Sequence, residues 1–182
     1  MNYAKAYEAM HNANPKHFSG YSIRPYVGEI TALVRRHISF LEWNGVPVPI
    51  SGRLLDYGSG KGFQYLALRV HDQWGGLLPH CYDPGVRQLR EKPSGKFSGI
   101  ICTDVMEHIE ERDVPKTLAD IFGFAGERAF VFFAIACRPA KRKRLPDGRD
   151  VHVTIKPPEW WGAQIDPFRR KGLTIRAVYD EG

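Results

Sequence analysis

Cysteine is scarce in this chain: Cys81, Cys102 and Cys137 are odd in number and widely spaced. No Cys-x-x-Cys pair exists, so neither a zinc ribbon nor a disulfide framework is indicated. Cys81 and Cys102 fall in apolar stretches that read as buried strands, where a free thiol behaves as a small hydrophobe. Long hydrophobic runs are missing too. None approaches the ~20 residues that a membrane-crossing helix needs. Residues 1–17 have no apolar core of a signal peptide. A reducing cytoplasm is the expected location, with no membrane partner. Repeats and low-complexity stretches are also absent.

What remains is ordinary for a globular domain. The chain has 182 residues, 43% of them hydrophobic and 25% charged, enough to build one real core. The expected organisation is a single domain over 1–182, with an N-terminal arm and helix over 1–50 and an α/β core over 51–182. Net charge is +6, and much of the excess comes from Arg138 to Arg144 and from Arg169, Arg170 and Lys171. Such a run can attract nucleic acid or an anionic substrate, or can form a solvated loop.

The most informative segment is Leu54 to Gly62, Leu-Leu-Asp-Tyr-Gly-Ser-Gly-Lys-Gly. An apolar strand ends at Asp56, glycines fall at 58, 60 and 62, and a helical stretch follows over 61–74. Glycine permits positive φ and lets a ligand approach the backbone, so a small polar ligand is expected at this strand-to-helix turn. Dinucleotides use such a turn with Gly-x-Gly-x-x-Gly and rest their pyrophosphate on the helix start. Here the spacing is Gly-x-Gly-x-Gly behind an acid. Asp56 suits a cation or a bound water and repels phosphate.

Patterning predicts the rest. Residues 1–28 read as an ordered aromatic arm holding Tyr3, Tyr7, His11, His17, Phe18, Tyr21 and Tyr26. Ile30, Leu33, Val34, Ile38 and Leu41 predict a helix over 29–43. Pro47, Pro49 and Gly52 predict a loop. Strands are expected at 53–57, 77–82, 97–102 and 128–136, the last a continuous apolar run suited to a strand covered on both faces. Val114 to Phe124 reads as a helix. Pro157-Pro158-Glu159 opens another, and Leu173 to Tyr179 is a last strand. Val151 to Ile155 alternates and could add a short one. Strands alternating with helices indicate a Rossmann-like, doubly wound, mostly parallel α/β sheet.

Two further constellations lie at strand ends. Asp83 closes Cys81-Tyr82-Asp83, 23 residues after Gly60 (83 − 60). An acid there can accept from both hydroxyls of a ribose cis-diol, or simply shape a turn before Pro84. Then comes Thr103-Asp104-Val105-Met106-Glu107-His108. In this order, the three signals resemble class I S-adenosylmethionine-dependent methyltransferases, particularly small bacterial and phage types of unassigned substrate. The resemblance covers about 55–109. It implies a cofactor, S-adenosyl-L-methionine, held by Asp56, Gly58, Ser59, Gly60, Gly62, Tyr82, Asp83, Thr103, Asp104 and Val105. It also implies a departure. Only Pro84 to Lys96 separates the acid from the fourth-strand motif, too short for helix, strand and helix. A trimmed sheet follows, its third strand lost or vestigial, and the loop 86–96 is left to meet the adenine.

The acceptor is less determined. Thr103-Asp104-Val105-Met106 lacks the Asp/Asn-Pro-Pro-aromatic motif of amino-directed DNA methyltransferases, and Cys137 is followed, not preceded, by proline. Asp-Val-x-Glu-His looks more like small-molecule, sugar and quinone O- or N-methyltransferases. A small-molecule or glycan acceptor is therefore expected. The alternatives are nucleic acid, reached through the basic loop 138–144, or a non-catalytic cofactor-binding partner protein. His108 and His152 are the candidate catalytic residues, since an imidazole near neutral pKa suits base work. One of Trp160 and Trp161 is expected in the core and the other on the acceptor wall. The arm, through Tyr7, His11, Phe18 and Tyr21, is a candidate lid. No metal is assigned. Even so, Asp104, Glu107, His108 and His152 resemble the metal set of small-RNA 2′-O-methyltransferases, with Asp in place of a longer acid.

Overall fold

A computed structural model of the chain describes residues 7–10, 20–141, 144, 145 and 147–182. Tyr3, His11, His17 and Phe18 of the expected arm lie outside the described residues. Residues 7–10 form a helical turn. A 3-10 turn, Tyr21–Tyr26, runs into helix α1, Val27–His37. At Ile38 the backbone becomes extended (φ −105°, ψ 135°). Strands β1 (Ser39–Trp43) and β2 (Val46–Ser51) then form an antiparallel hairpin.

This hairpin corrects two expectations. The helix predicted over 29–43 stops at His37, and the predicted loop at 47–52 is mostly strand. Asn44 and Gly45 turn the hairpin with φ of 51° and 75°, the left-handed pair that a two-residue hairpin turn demands. Pro47 and Pro49 are tolerated because a two-stranded ribbon has an open edge that makes no ladder bonds.

The core begins with β3, Leu54–Tyr57. The expected helix over 61–74 is two short pieces, α2 (Gln64–Ala67) and α3 (Val70–Gln73). Arg69 divides them with φ 53°, a left-handed residue that no α-helix accommodates. β4 is only His80–Tyr82, shorter than the expected 77–82. β5 is Phe97–Thr103, and helix α4 is Val114–Phe124. β6 runs Ala125–Ala136, starting three residues before the expected 128. Helix α5 is Pro158–Ile165, and β7 is Thr174–Asp180. Residues 151–155 are not a strand. Just before them an isolated antiparallel bridge joins Arg144 and Asp150.

Five strands form one sheet in the order β4-β3-β5-β6-β7, and every pairing is parallel. β4 is an edge, and no strand lies between it and β5 in the chain. The sheet is therefore trimmed as the spacing of the motifs predicts.

Strand side chains alternate between two cores, as the pleat requires. Leu55, Ile100, Cys102, Val131, Phe133 and Ile135 face α4 and α5, where Leu118, Ile121, Phe122 and Trp161 meet them. Leu54, Ile101, Phe130 and Phe132 face the other way, toward Ile30 and Val34 of α1 and toward Tyr65 and Trp74. Helices on both faces make the sheet doubly wound. Phe130, Phe132 and Phe133 are fully buried, each contributing roughly 2–3 kcal/mol of apolar burial. No helix among the described residues is long and apolar enough to cross a membrane.

Candidate active site

In an open parallel sheet, ligands gather at the carboxyl ends of the strands. Here β3, β4 and β5 end side by side. After β3 the chain turns through Gly58-Ser59-Gly60. The Gly58 and Ser59 amides donate to the Tyr82 carbonyl, at 2.8 and 3.1 Å. Gly58 has φ 79° and lies so close to Val105 that a Cβ would stand 2.4 Å from its Cγ2. The turn is thus pressed against both neighbouring strand ends, and only glycine fits at 58. Tyr82 contributes its backbone to that turn, while its ring packs edge-on against Tyr57.

Asp83 organises the same corner. Its Oδ2 accepts from the Gly60 amide and its Oδ1 from the Gly85 amide, both at 2.8 Å. Burial pushes its carboxyl pKa up, and these two amides hold it down. A carboxylate has about four acceptor positions, so two amides leave room for a diol.

A cavity of about 300 Å³ opens here, at the lower end of the small-ligand range. Gly58, Gly60, Asp83, Thr103, Asp104, Val105 and His108 line it. Tyr7, Gly20, Ser22, Pro84, Gly85 and Ile109 complete the wall. Sequence reading named Tyr7 for a lid but had no signal for Gly20, Ser22 or Ile109, which arrive by packing. Gly85 also borders a second hollow lined by Lys61, Phe63, Val86, Arg87, Gln88 and Leu89.

The expected cofactor residues Asp56, Ser59, Gly62 and Tyr82 are not on the cavity wall. Asp56 is buried, and its Oδ2 accepts from Gln64 Nε2 at 2.7 Å and from Tyr65 Oη at 2.9 Å. Its side chain therefore anchors α2. Burial raises its pKa from 3.8 to about 7, with the Tyr65 and Gln64 bonds opposing and Asp83 adding. Ser59 is buried, and Gly62 backs onto Cys81.

Two acids and two histidines gather at the far side, of which Asp104 and His108 line the wall. Asp104 follows β5 with φ 58°, a left-handed conformation that Asp tolerates better than most residues. A 3-10 turn, Met106–His108, then brings Glu107 and His108 under the end of β6. Glu107 Oε1 accepts from the Ala136 amide at 3.0 Å. The loop 150–154 is laced to this turn: Thr154 N donates to the Glu107 carbonyl, and Thr154 Oγ1 donates to the Ile109 carbonyl at 2.6 Å. That lacing delivers His152, whose ring meets His108 edge-on at 4.9 Å. His108 faces the cavity, and His152 stands behind it.

Electrostatics separate the two histidines. Burial disfavours the charged His108, but Asp104, Glu107 and the Val151 carbonyl outweigh it, and the net shift is upward. Burial dominates at His152 and lowers its pKa, with the Arg138 carbonyl opposing. Burial also raises the Glu107 pKa, against the pull of His108.

The arm reaches this wall. Tyr7 Oη donates to the Val151 carbonyl at 3.2 Å and lies 3.0 Å from His108 Nδ1. Tyr7 and Met10 pack on Ala140, Leu145 and Val151. Glu8 pairs with Arg90 at 3.8 Å, which ties the helical turn to the segment after Asp83. Trp161 is fully buried, as expected of one of the pair. Trp160 is not on the cavity wall; it packs on the α4–α5 core beneath Lys156. The basic run is partly neutralised: Arg138 binds Asp180 at 2.6 Å and Arg144 binds Asp150 at 3.1 Å.

No curated protein and no solved structure matches the chain. Residues 29–167 match the family described as a methyltransferase domain, from the third residue of α1 to two residues past the end of α5. With that match, and with a parallel sheet whose glycine turn, acid and fourth-strand segment converge on one cavity, the chain belongs to the methyltransferase-domain family of class I S-adenosylmethionine-dependent methyltransferases.

Proposed function

We propose that the protein binds S-adenosylmethionine in this cavity and transfers its methyl group to an oxygen or nitrogen of a small molecule or glycan. One observation carries the reading: a single cavity joins the glycine turn and Asp83 at one side to Asp104 and His108 at the other. Gly58 and Gly60 offer backbone to the amino acid end of the cofactor. Asp83 offers its remaining acceptor positions to the ribose hydroxyls. Thr103 to Val105 flank the body of the ligand.

Methyl transfer from a sulfonium is an in-line displacement, so the enzyme mainly aligns donor and acceptor. His108, on the cavity wall, serves the acceptor with His152 behind its ring, since an imidazole of near-neutral pKa can take a proton from a hydroxyl or ammonium. Tyr7, Gly20 and Ser22 cover the same cavity, which favours a small acceptor over a polymer. Asp180 and Asp150 bind Arg138 and Arg144, and this weakens the case for nucleic acid. A gel shift that tightens steeply as salt falls would reverse that preference.

The test is isothermal titration with S-adenosylmethionine and S-adenosylhomocysteine, beside Asp83→Ala monitored by circular dichroism. Micromolar binding that the folded variant loses supports the reading. No binding by the intact chain sinks it. Binding without turnover on any acceptor would instead favour a non-catalytic partner protein.

A further inference from the structure

Asp104, Glu107, His108 and His152 each bring one potential ligand atom to within 4.8 Å of the other three. We propose that this cluster binds one divalent transition-metal cation, Mn²⁺ or Zn²⁺, at the acceptor end of the cavity.

The histidine tautomers support it first. His108 Nδ1 lies 2.9 Å from the Val151 carbonyl, and His152 Nδ1 lies 2.7 Å from the Arg138 carbonyl. A carbonyl can only accept, so each Nδ1 carries the proton. Each neutral ring is then left with a lone pair on Nε2. Both Nε2 atoms face the same carboxylate oxygen, Asp104 Oδ1, at 3.7 and 4.0 Å. Imidazoles fixed through Nδ1 by backbone carbonyls, with Nε2 lone pairs converging, have the orientation that metal-bound histidines need.

Glu107 supplies an independent observation. The residue is 1% exposed, and while Oε1 accepts from the Ala136 amide, the buried Oε2 has no hydrogen-bond partner among the described residues. An unsatisfied carboxylate oxygen in the interior is costly, and a bound cation would satisfy it. Charge is consistent as well, because two carboxylates and two neutral imidazoles balance a divalent ion.

Distance and softness select the ion. Tetrahedral ligands about 2.0–2.2 Å from one ion stand roughly 3.3–3.6 Å apart, so the two Asp104–histidine separations of 3.7 and 4.0 Å need to contract by only about half an ångström. Paired imidazoles and carboxylates suit Zn²⁺ or Mn²⁺, whereas Mg²⁺ prefers oxygen alone and keeps its waters. Asp104 and His108 border the cavity, so one side of the ion faces the space where the acceptor enters.

This deepens the methyl-transfer reading and rests on it for the chemistry, though not for the binding. The ion would lower the pKa of a bound acceptor hydroxyl. The hydroxyl proton passes to water at the cavity mouth. An oxygen lone pair then forms the new O–CH₃ bond while the methyl–sulfur bond breaks and its electron pair stays on sulfur, giving the neutral thioether. With the ion bound, the two histidines hold it in place of the base role they have without it, and the acceptor class narrows to hydroxyls.

The test titrates the chelator-stripped full chain with MnCl₂ and ZnCl₂, and separately with S-adenosylhomocysteine. The expected result is one bound ion at micromolar affinity. Glu107→Gln and His152→Ala should each weaken it by about tenfold or more, while S-adenosylhomocysteine affinity stays unchanged because neither residue is on the cavity wall. Absence of stoichiometric metal binding by the unaltered chain overturns the proposal, whatever the variants do. So does metal affinity that neither substitution changes. Metal binding without S-adenosylhomocysteine binding upholds the ion site and sinks the methyl-transfer reading. The reverse sinks only the ion.

Discussion

Replacing Asp56 by Asn should change the pH dependence of stability while leaving cofactor affinity nearly untouched. Burial lifts the Asp56 pKa from 3.8 to about 7 in the folded chain. The unfolded chain therefore releases this proton near pH 4, and the folded chain holds it to about pH 7. Between those values the folded state binds more protons, so its stability falls as pH rises. Below pH 4 and above pH 7 the contribution is flat. A shift of about 3 units at ~1.4 kcal/mol each sets the loss at roughly 4 kcal/mol. Asparagine cannot ionise, yet its carbonyl can still accept from Gln64 Nε2 and Tyr65 Oη. Urea unfolding of both proteins from pH 4 to pH 8 isolates the effect, because other titrating groups cancel in the difference. The variant should gain up to about 4 kcal/mol relative to the unaltered chain across that range. Parallel profiles would refute the reasoning, since they would mean that Asp56 has an ordinary pKa. S-adenosylhomocysteine titration adds a second arm. A large loss of affinity in the variant would place the carboxylate on the ligand's ammonium after all.

Gly58→Ala forces a Cβ to 2.4 Å from Val105 Cγ2 at a φ of 79°. The expected cost is about 2–3 kcal/mol of stability, with cofactor binding lost; an unchanged melting temperature would contradict the tight turn. Tyr7→Phe removes the hydroxyl bound to the Val151 carbonyl. It should lower the unfolding free energy by about 1 kcal/mol, and an equal stability would show that this contact does not hold the arm in place.

The parts of the fold that were legible in the sequence are those where one signal dominates. The apolar run of β6 could only be a covered central strand, and Val114 to Phe124 carries its own helical periodicity. The distance from Asp83 to Phe97 left no room for another strand, which the sheet bears out. The stretch 29–43 misled because Ile38 and Leu41 continue the helical spacing past His37. Asn44-Gly45 was the competing signal, a turn dipeptide between apolar residues, and local turn chemistry prevailed over periodicity. The break at Arg69 had no such mark, since neither glycine nor proline stands there. At the candidate site, motif position told which strand ends converge. It did not tell which way a side chain points. Asp56 lies in the motif yet turns inward to α2, because a buried carboxylate takes the donors nearest to it. Gly20 and Ser22 reach the cavity from a distant part of the chain, and no local pattern encodes that.

The brevity of β4 bears on how this chain behaves among copies of itself. A sheet that ends on an outer strand usually offers a row of unpaired amides and carbonyls to any passing chain. Here that border is three residues long, about 10 Å of backbone. So short a border gives an incoming strand little to grip. On this side of the sheet, dispensing with the family's third strand has therefore left little template for strand-to-strand self-association, and the longer open border is the opposite one, the seven residues of β7.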